Sequence, residues 1–312
     1  RGANLVRERW DSPGFTAYDG VFSSSRARRE LGNALERNEY RFSPTSLERY
    51  AACPFRYFLR DLLGIEAIEE PERIVAATPA QRGTLIHGIL ARLFGELAEA
   101  GFLPVKNAPP ERIFAMAEEV AARALDEYPA SEPVGLPVFW KMERLIVRES
   151  IRFFLEEERL DPDDFTPARF ERSFGRGRDG AAVEFDRGDR LVRFHGRIDR
   201  IDVAPDGRFR VVDYKTGRLA GSDQDLAGGT ALQLPVYLLA AARDLGRPLE
   251  AGEALYRRVG AGGRRSIRFA GDRWEESGDE FARIIATVTR GIEEGLFFAG
   301  ADDRMCERCD FA

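Results

Sequence analysis

The apolar positions of the first half of the chain recur at helical spacing, and those of the second half mostly alternate. Leu85, Ile86, Ile89, Leu90, Leu93, Phe94 and Leu97 form one stripe at i, i+4 and i+8, which predicts a long helix from about Thr84 to Ala100. Segments 111–127 and 138–158, rich in Ala, Glu, Arg and Leu, predict two more helices. Ahead of them, SPTSLERYAACPFRYFLRDLLGI (43–65) opens with Ser43 as N-cap and Pro44 at the first helical position. Pro54 is expected to break that helix just after Cys53, before a second apolar stretch from Phe55 to Leu63.

Near residue 168 the period changes. ARFERSFG (168–175), LVRFHGRIDRIDVA (191–204) and FRVVDYKTG (209–217) read as strands with Gly-rich turns between them. Helical patterns return at 231–244 and 279–295, around a strand at EALYRRV (253–259). Helices, then a β-meander, then strand and helix in alternation predict an α/β or α+β domain on a central mixed sheet. Residues 1–42 show little apolar periodicity and read as a linker or the trailing edge of a preceding domain, with the domain proper over 43–312.

Composition narrows this only a little. The 312 residues are 44% hydrophobic and 32% charged, which suits a soluble globular domain, and no apolar run approaches the roughly 18–20 residues of a membrane span. The chain opens on Arg1 with no signal-peptide pattern, and is expected to be part of something larger. A net charge of −6 gives no general basic footprint, so any polyanion would be bound through local patches. Three cysteines, an odd number, point to a reducing compartment and a cytoplasmic location.

The candidate chemistry lies in one hairpin. On a strand ending VVDYKTG (211–217), Asp213 and Lys215 project to one side and Tyr214 to the other. Taken alone, that is also the pattern of a surface ion pair. If Pro205, Asp206 and Gly207 form a three-residue loop with Gly207 left-handed, Ala204 faces Arg208 and Asp199 falls opposite Asp213. A two-residue loop would instead put Tyr214 there. Facing carboxylates repel unless one is protonated or a cation sits between them, and a divalent metal with oxygen ligands is the simpler account. Asp202, on the other face and near the turn, is expected to be solvated.

GRIDRID (196–202) followed by VVDYKTG resembles the core of the PD-(D/E)xK nuclease superfamily in its RecB-type exonuclease branch. RGTLIHGILARLF (82–94) resembles that branch's helical His motif, and LQLPVYLLAA (232–241) its Q-x-x-x-Y motif. The resemblance implies a restriction-endonuclease-like mixed sheet flanked by helices, with a helical N-terminal portion. It implies Mg²⁺ or Mn²⁺ held by His87, Asp199, Asp213 and the carbonyl of Tyr214. Lys215 would orient or help deprotonate the attacking water, with Gln233 and Tyr237 reaching a DNA phosphate or the site. Without the resemblance, His87 reads as a packing or surface residue, Gln233 as a helix cap and Tyr237 as core. Glu171, on the preceding strand, is a further candidate to approach the site.

Cys306 and Cys309 form a C-x-x-C that on its own fits a zinc half-site, a redox pair or neither. YAACPFRYFLRDLLG (50–64) resembles the start of the nuclease domain of AddB-type helicase–nuclease subunits, and FTAYDG (15–20) the segment that precedes it there. In those proteins one cysteine before the nuclease and three after it hold a 4Fe–4S cluster. Carried over, Cys53, Cys306 and Cys309 are ligands, and the family's fourth cysteine has no counterpart before Ala312. The function implied is a metal-dependent DNA exonuclease domain, part of a helicase–nuclease of double-strand-break repair and recombination. It would hydrolyse single-stranded ends fed by a helicase partner subunit, without sequence preference. The alternatives are a DNA-holding module that has lost catalysis and a free-standing RecB-like nuclease.

Overall fold

The computed structural model describes residues 16, 19–66, 75–176, 182–219, 221–260, 266–300, 306, 307, 309 and 311. Five strands build the main sheet: β2 (Thr166–Phe174), β5 (Gly196–Val203), β6 (Phe209–Lys215), β7 (Gly252–Arg258) and β8 (Ser266–Ala270), side by side in that order. Only the β6–β7 pair is parallel, so the sheet is mixed, as the sequence predicts. The β6–β7 connection crosses over through helix α7 (Gln233–Leu245), as parallel neighbours require.

Both faces of the sheet are covered. On one lie α4 (Pro79–Glu99), α5 (Pro110–Glu127) and α6 (Pro137–Arg159), packed on Val212, Tyr214, Leu255 and Val259. The stripe read from the sequence is the buried face of α4. Ile89, Leu90, Leu93, Phe94 and Leu97 have no exposed surface, each contributing about 1.5–3 kcal/mol by leaving water. The helix starts earlier than its apolar pattern, at Pro79, because Thr78 and Gln81 close a capping box there.

The opposite face carries Val211, Phe209, Ala254 and Phe269 against α7, α8 (Trp274–Glu293) and α2 (Pro44–Ala52). Val211 and Val212 therefore serve different layers, and this explains a central strand that is apolar at consecutive positions. Ser43 caps α2 by accepting the Ser46 N–H, and Pro54 starts a new short helix, α3 (Pro54–Tyr57), which runs on into a π turn over Phe58–Leu62. Gly291 lets α2 approach α8 closely, since a Cβ there would lie 2.2 Å from the Tyr50 hydroxyl.

Four elements were not anticipated. Residues read as linker include helix α1 (Ser25–Arg37) and strand β1 (Arg41–Phe42), whose Leu31, Leu35 and Phe42 join the same buried cluster. The stretch 191–204 divides at His195 into β4 (Leu191–Phe194) and β5, which belong to different sheets. β4 sits between β1 and β3 (Val183–Asp186) in a small second sheet. Strand β8 was also not expected. Among the described residues no helix is long and apolar enough to cross a membrane.

Candidate active site

The β5–β6 turn decides the geometry. Gly207 takes φ +95°, the Ala204 N–H donates to the Arg208 carbonyl at 2.9 Å, and Arg200 pairs with Val212. One step further this register sets Asp199 across from Asp213, as the three-residue loop requires. The paired ladder ends before that step, and the Asp199 Oδ2 accepts the Tyr214 N–H at 2.8 Å instead. Both carboxylates are buried, Asp199 to 9% exposure and Asp213 to 3%. Lys215 lies on the same side as Asp213, its Nζ 2.6 Å from Oδ2.

His87 reaches this point from α4. Its ring stands edge-on to Tyr214, 5.7 Å between centroids, and its Nδ1 is 3.3 Å from Asp199 Oδ1. Burial alone would lower the His87 pKa, but the hydrogen bond and charge of Asp199, with Asp213 adding, leave it raised. Burial pushes the Asp213 carboxyl up to about 6, opposed by Lys215 and reinforced by the charge of Asp199. The negative charge of Asp199 thus disfavours the ionised form of Asp213.

Gln233 and Tyr237 complete the group. Lys215 Nζ donates to Gln233 Oε1 at 2.8 Å, and Gln233 Nε2 donates to the Tyr237 hydroxyl at 3.1 Å, one helical turn on. The Lys215 ammonium also lies 4.6 Å from the centre of the Tyr256 ring. The Gln233 side chain is thus engaged by Lys215 of β6, not by a helix end. Glu171 is brought in as well. It sits at φ +50° between Phe170 and Arg172, which pair with Arg200 and Ile198, so it falls level with Asp199. It pairs with Arg197 at 2.7 Å, and burial raises its pKa. His87, Glu171, Arg197, Tyr214, Lys215 and Thr216 line one open cleft of about 640 Å³.

The chain matches the PD-(D/E)XK nuclease superfamily over residues 41–312. It belongs to that superfamily. It is 32% identical over 218 residues to an ATP-dependent helicase/deoxyribonuclease subunit from Moorella thermoacetica, a match covering 68% of this chain and 18% of that protein. The subunit of the same description from Desulforudis audaxviator is 32% identical over 77% of this chain and 21% of its own length, and that from Symbiobacterium thermophilum 32% over 72% and 19%. The chain therefore spans about a fifth of the length of these relatives.

One expectation for this PD-(D/E)XK chain is overturned. Asp202 is not solvated: it is 2% exposed, with its Oδ1 2.7 Å from Arg200 Nε. The C-terminal end of α6 covers it, and Glu158 there binds Arg200 at 2.8 Å and Arg257 at 2.7 Å. Nearness to a turn was the wrong guide, because the layer above the turn is long-range structure.

Of the cysteines, Cys53 meets the stretch that precedes the other two. Cys53 ends α2, and its Sγ accepts the Gly300 N–H at 3.3 Å, while the Phe55 N–H donates to the Phe298 carbonyl at 3.1 Å. The C-terminal stretch thus returns to Cys53, with Cys306 exposed and Cys309 half-buried further on. Among the described residues, no three His, Cys, Asp or Glu side chains stand together as a ready-made metal nest. For the acidic site the donor chemistry nevertheless fits a hard divalent cation, with two crowded buried carboxylates and one imidazole at hand. Phe15, Ala17 and Tyr18 of the FTAYDG segment lie outside the described residues.

One residue that touches this group left no signal in the sequence. Glu48 of α2 accepts the backbone N–H groups of Leu232 and Gln233 at 2.7 and 2.8 Å, across 184 and 185 residues of chain.

Proposed function

We propose that this chain is the nuclease domain of an AddB-type helicase–nuclease subunit, hydrolysing phosphodiester bonds at single-stranded DNA ends in double-strand-break repair. The observation that carries this is the convergence of His87, Asp199, Asp213, Lys215 and Gln233, from four elements, beside a cleft that His87 and Lys215 line. A module that only holds DNA has no use for two buried carboxylates crowded together. A helicase partner subunit and a cytoplasmic location belong to the same reading, with the motif-bearing domain of 43–312 extended by residues 25–42, whose Leu31, Leu35 and Phe42 share its core.

Asp199, Asp213, the Tyr214 carbonyl and His87 would hold Mg²⁺ or Mn²⁺. Such an ion, when bound, supplies an activated water and neutralises charge on the phosphate oxygens. Lys215 has two of its three donors engaged, by Asp213 and Gln233, so its orientation is fixed and one donor remains for a water or a phosphate oxygen. Its positive charge offsets the charge that builds on the phosphorane. His87 must be neutral to ligate, so its raised pKa makes cation binding weaken as pH falls.

The test is hydrolysis of end-labelled single-stranded DNA by the purified chain with Mg²⁺ or Mn²⁺. The expected result is digestion from an end, stopped by EDTA, and slowed by about 10²–10⁴-fold in Lys215→Ala with the fold unchanged. No digestion with either metal by folded protein removes the proposal.

For the cysteines we propose a 4Fe–4S cluster with Cys53, Cys306 and Cys309 among its ligands. The meeting of Cys53 with Gly300 supports it, because such a cluster would clip the two ends of the domain together. Iron and acid-labile sulfide should be present in anaerobically purified full-length subunit, and lost in Cys53→Ala. Their absence from the parent subunit overturns it.

A further inference from the structure

Helix α7 begins without a cap of its own. Leu232 stands at the N-cap, where a side chain that accepts hydrogen bonds is normally needed, and its side chain supplies none. Glu48 provides the acceptor instead, binding the N–H of the N-cap residue and of the first helical residue with one oxygen. That first helical residue is Gln233, whose side chain holds Lys215. A carboxylate at this end also opposes the positive pole of the helix.

Glu48 is itself held firmly. Leu47 beside it has no exposed surface, and the Tyr50 hydroxyl donates to the Leu296 carbonyl at 2.7 Å, fixing α2 against the end of α8. The sequence of contacts is therefore α2, Glu48, the Gln233 backbone, the Gln233 amide, Lys215 and Asp213, joined by two hydrogen bonds and one ion pair and otherwise by covalent bonds.

We propose that Glu48 is a positioning residue for this site: by fixing the start of α7 it sets where Gln233 holds the Lys215 ammonium. Its kinetic consequence rests on the nuclease reading above; its structural consequence does not. A cap that served stability alone would leave the lysine where it is and the rate unchanged below the melting range.

Four variants are compared with the parent: Glu48→Ala, Glu48→Gln, Gln233→Ala, and Glu48→Ala combined with Gln233→Ala. Ile285→Val, a core change in α8 away from the cleft, serves as a destabilised control. Crystal structures of parent and variants read the Gln233 Oε1 to Lys215 Nζ distance, and single-turnover digestion of single-stranded DNA reads the rate. Glu48→Ala should part Gln233 from Lys215 and lower kcat by about ten- to a hundredfold with KM little changed, as a small misplacement of a reacting group does. Glu48→Gln, whose amide oxygen can accept the same two N–H groups, should restore both. Because Glu48 acts through Gln233, the double variant should be no slower than Gln233→Ala alone. Retention of the Gln233–Lys215 bond in Glu48→Ala, or rate losses that multiply in the double variant, overturns the inference. Should Glu48→Ala not fold, Glu48→Asp, shorter by one methylene, takes its place with the same two readouts. A parent inactive with both metals sinks the nuclease reading only, and the crystallographic distance still decides the role of Glu48.

Discussion

Strand β5 carries two aspartates three residues apart, and they end in opposite electrostatic circumstances. Asp202 faces the α4–α6 layer, where Arg200 and Arg257 meet Asp202 and Glu158 in matched guanidinium–carboxylate pairs. Asp199 faces the cleft, where two buried acids share a lysine that is 35% exposed and a histidine. In the first cluster the partners are guanidiniums, so Glu158, for all its burial, is held below its ordinary pKa by Arg200 and Arg257, although burial still raises Asp202. In the second, Asp213 rises to about 6. Burial is common to both; what differs is that two buried guanidiniums answer the first pair of acids, and one partly exposed ammonium and an imidazole the second.

The largest expected effect sets one aspartate against the other. Asp213→Ala should lower DNA hydrolysis by at least about a thousandfold, the several kcal/mol of charge stabilisation lost with a cation ligand, while the metal-free fold holds. Asp202→Ala should do the reverse. It removes one partner of the buried Arg200 and should destabilise the chain by about 3–5 kcal/mol, with the activity of the remaining folded fraction near the parent value. Denaturant titration and activity, measured on both variants, check the pair. Equal losses of activity per folded molecule would erase the distinction.

His87→Ala is a smaller test of the same contrast, since no guanidinium can substitute for an imidazole ligand. Binding of Mn²⁺ should weaken more than that of Mg²⁺, narrowing their affinity ratio by about tenfold, the lower end of what disturbing a metal site costs. Calorimetric titration with both ions measures it. An unchanged ratio would return His87 to packing against Tyr214.

What the sequence made legible was local. The α4 stripe repeats over more than three turns, and the hairpin register follows from one glycine that can take a positive φ, which places Asp199 and Asp213 without any knowledge of the layers around them. The family motifs add His87, Gln233 and Tyr237, and the structure brings His87 to the acids, Gln233 to the lysine and Tyr237 to Gln233. The parts that escaped depend on remote chain. Helix α1 buries only Leu31 and Leu35, too few to make a visible stripe. Asp202 looked solvated because its cover comes from α6, some forty residues upstream of it by the order of elements. Glu48 reads as an ordinary helical surface glutamate until α7 is placed against it.

The smallest effect is on stability, and it gives the comparison a sign. In the unfolded chain Asp213 releases its proton near 3.8; in the metal-free fold it does so near 6. Between those values the folded state holds a proton the unfolded state has lost, so stability contributed by Asp213 is present below about pH 4 and declines as pH rises through 6. His87, also raised, acts in the same direction: its contribution is full below 6.5 and fades as pH passes its folded value. Glu158 acts in the opposite direction, giving stability above 4.5 that is lost on acidification. The total pH profile therefore mixes both clusters, and a single melting curve cannot separate them. The difference between Asp213→Asn and parent isolates one term. In EDTA, that difference in Tm should be near zero or negative at pH 4 and become positive by pH 7, because the amide carries no charge to desolvate while Lys215 keeps Gln233 and solvent. Burial raises the Asp202 carboxyl as well, so the Asp202→Asn difference should move in the same sense, but it should stay negative at both pH values because Arg200 is left facing an amide. A flat difference for Asp213→Asn would mean that Lys215 already neutralises Asp213 fully, and the cleft would then be as well balanced as the cluster behind it.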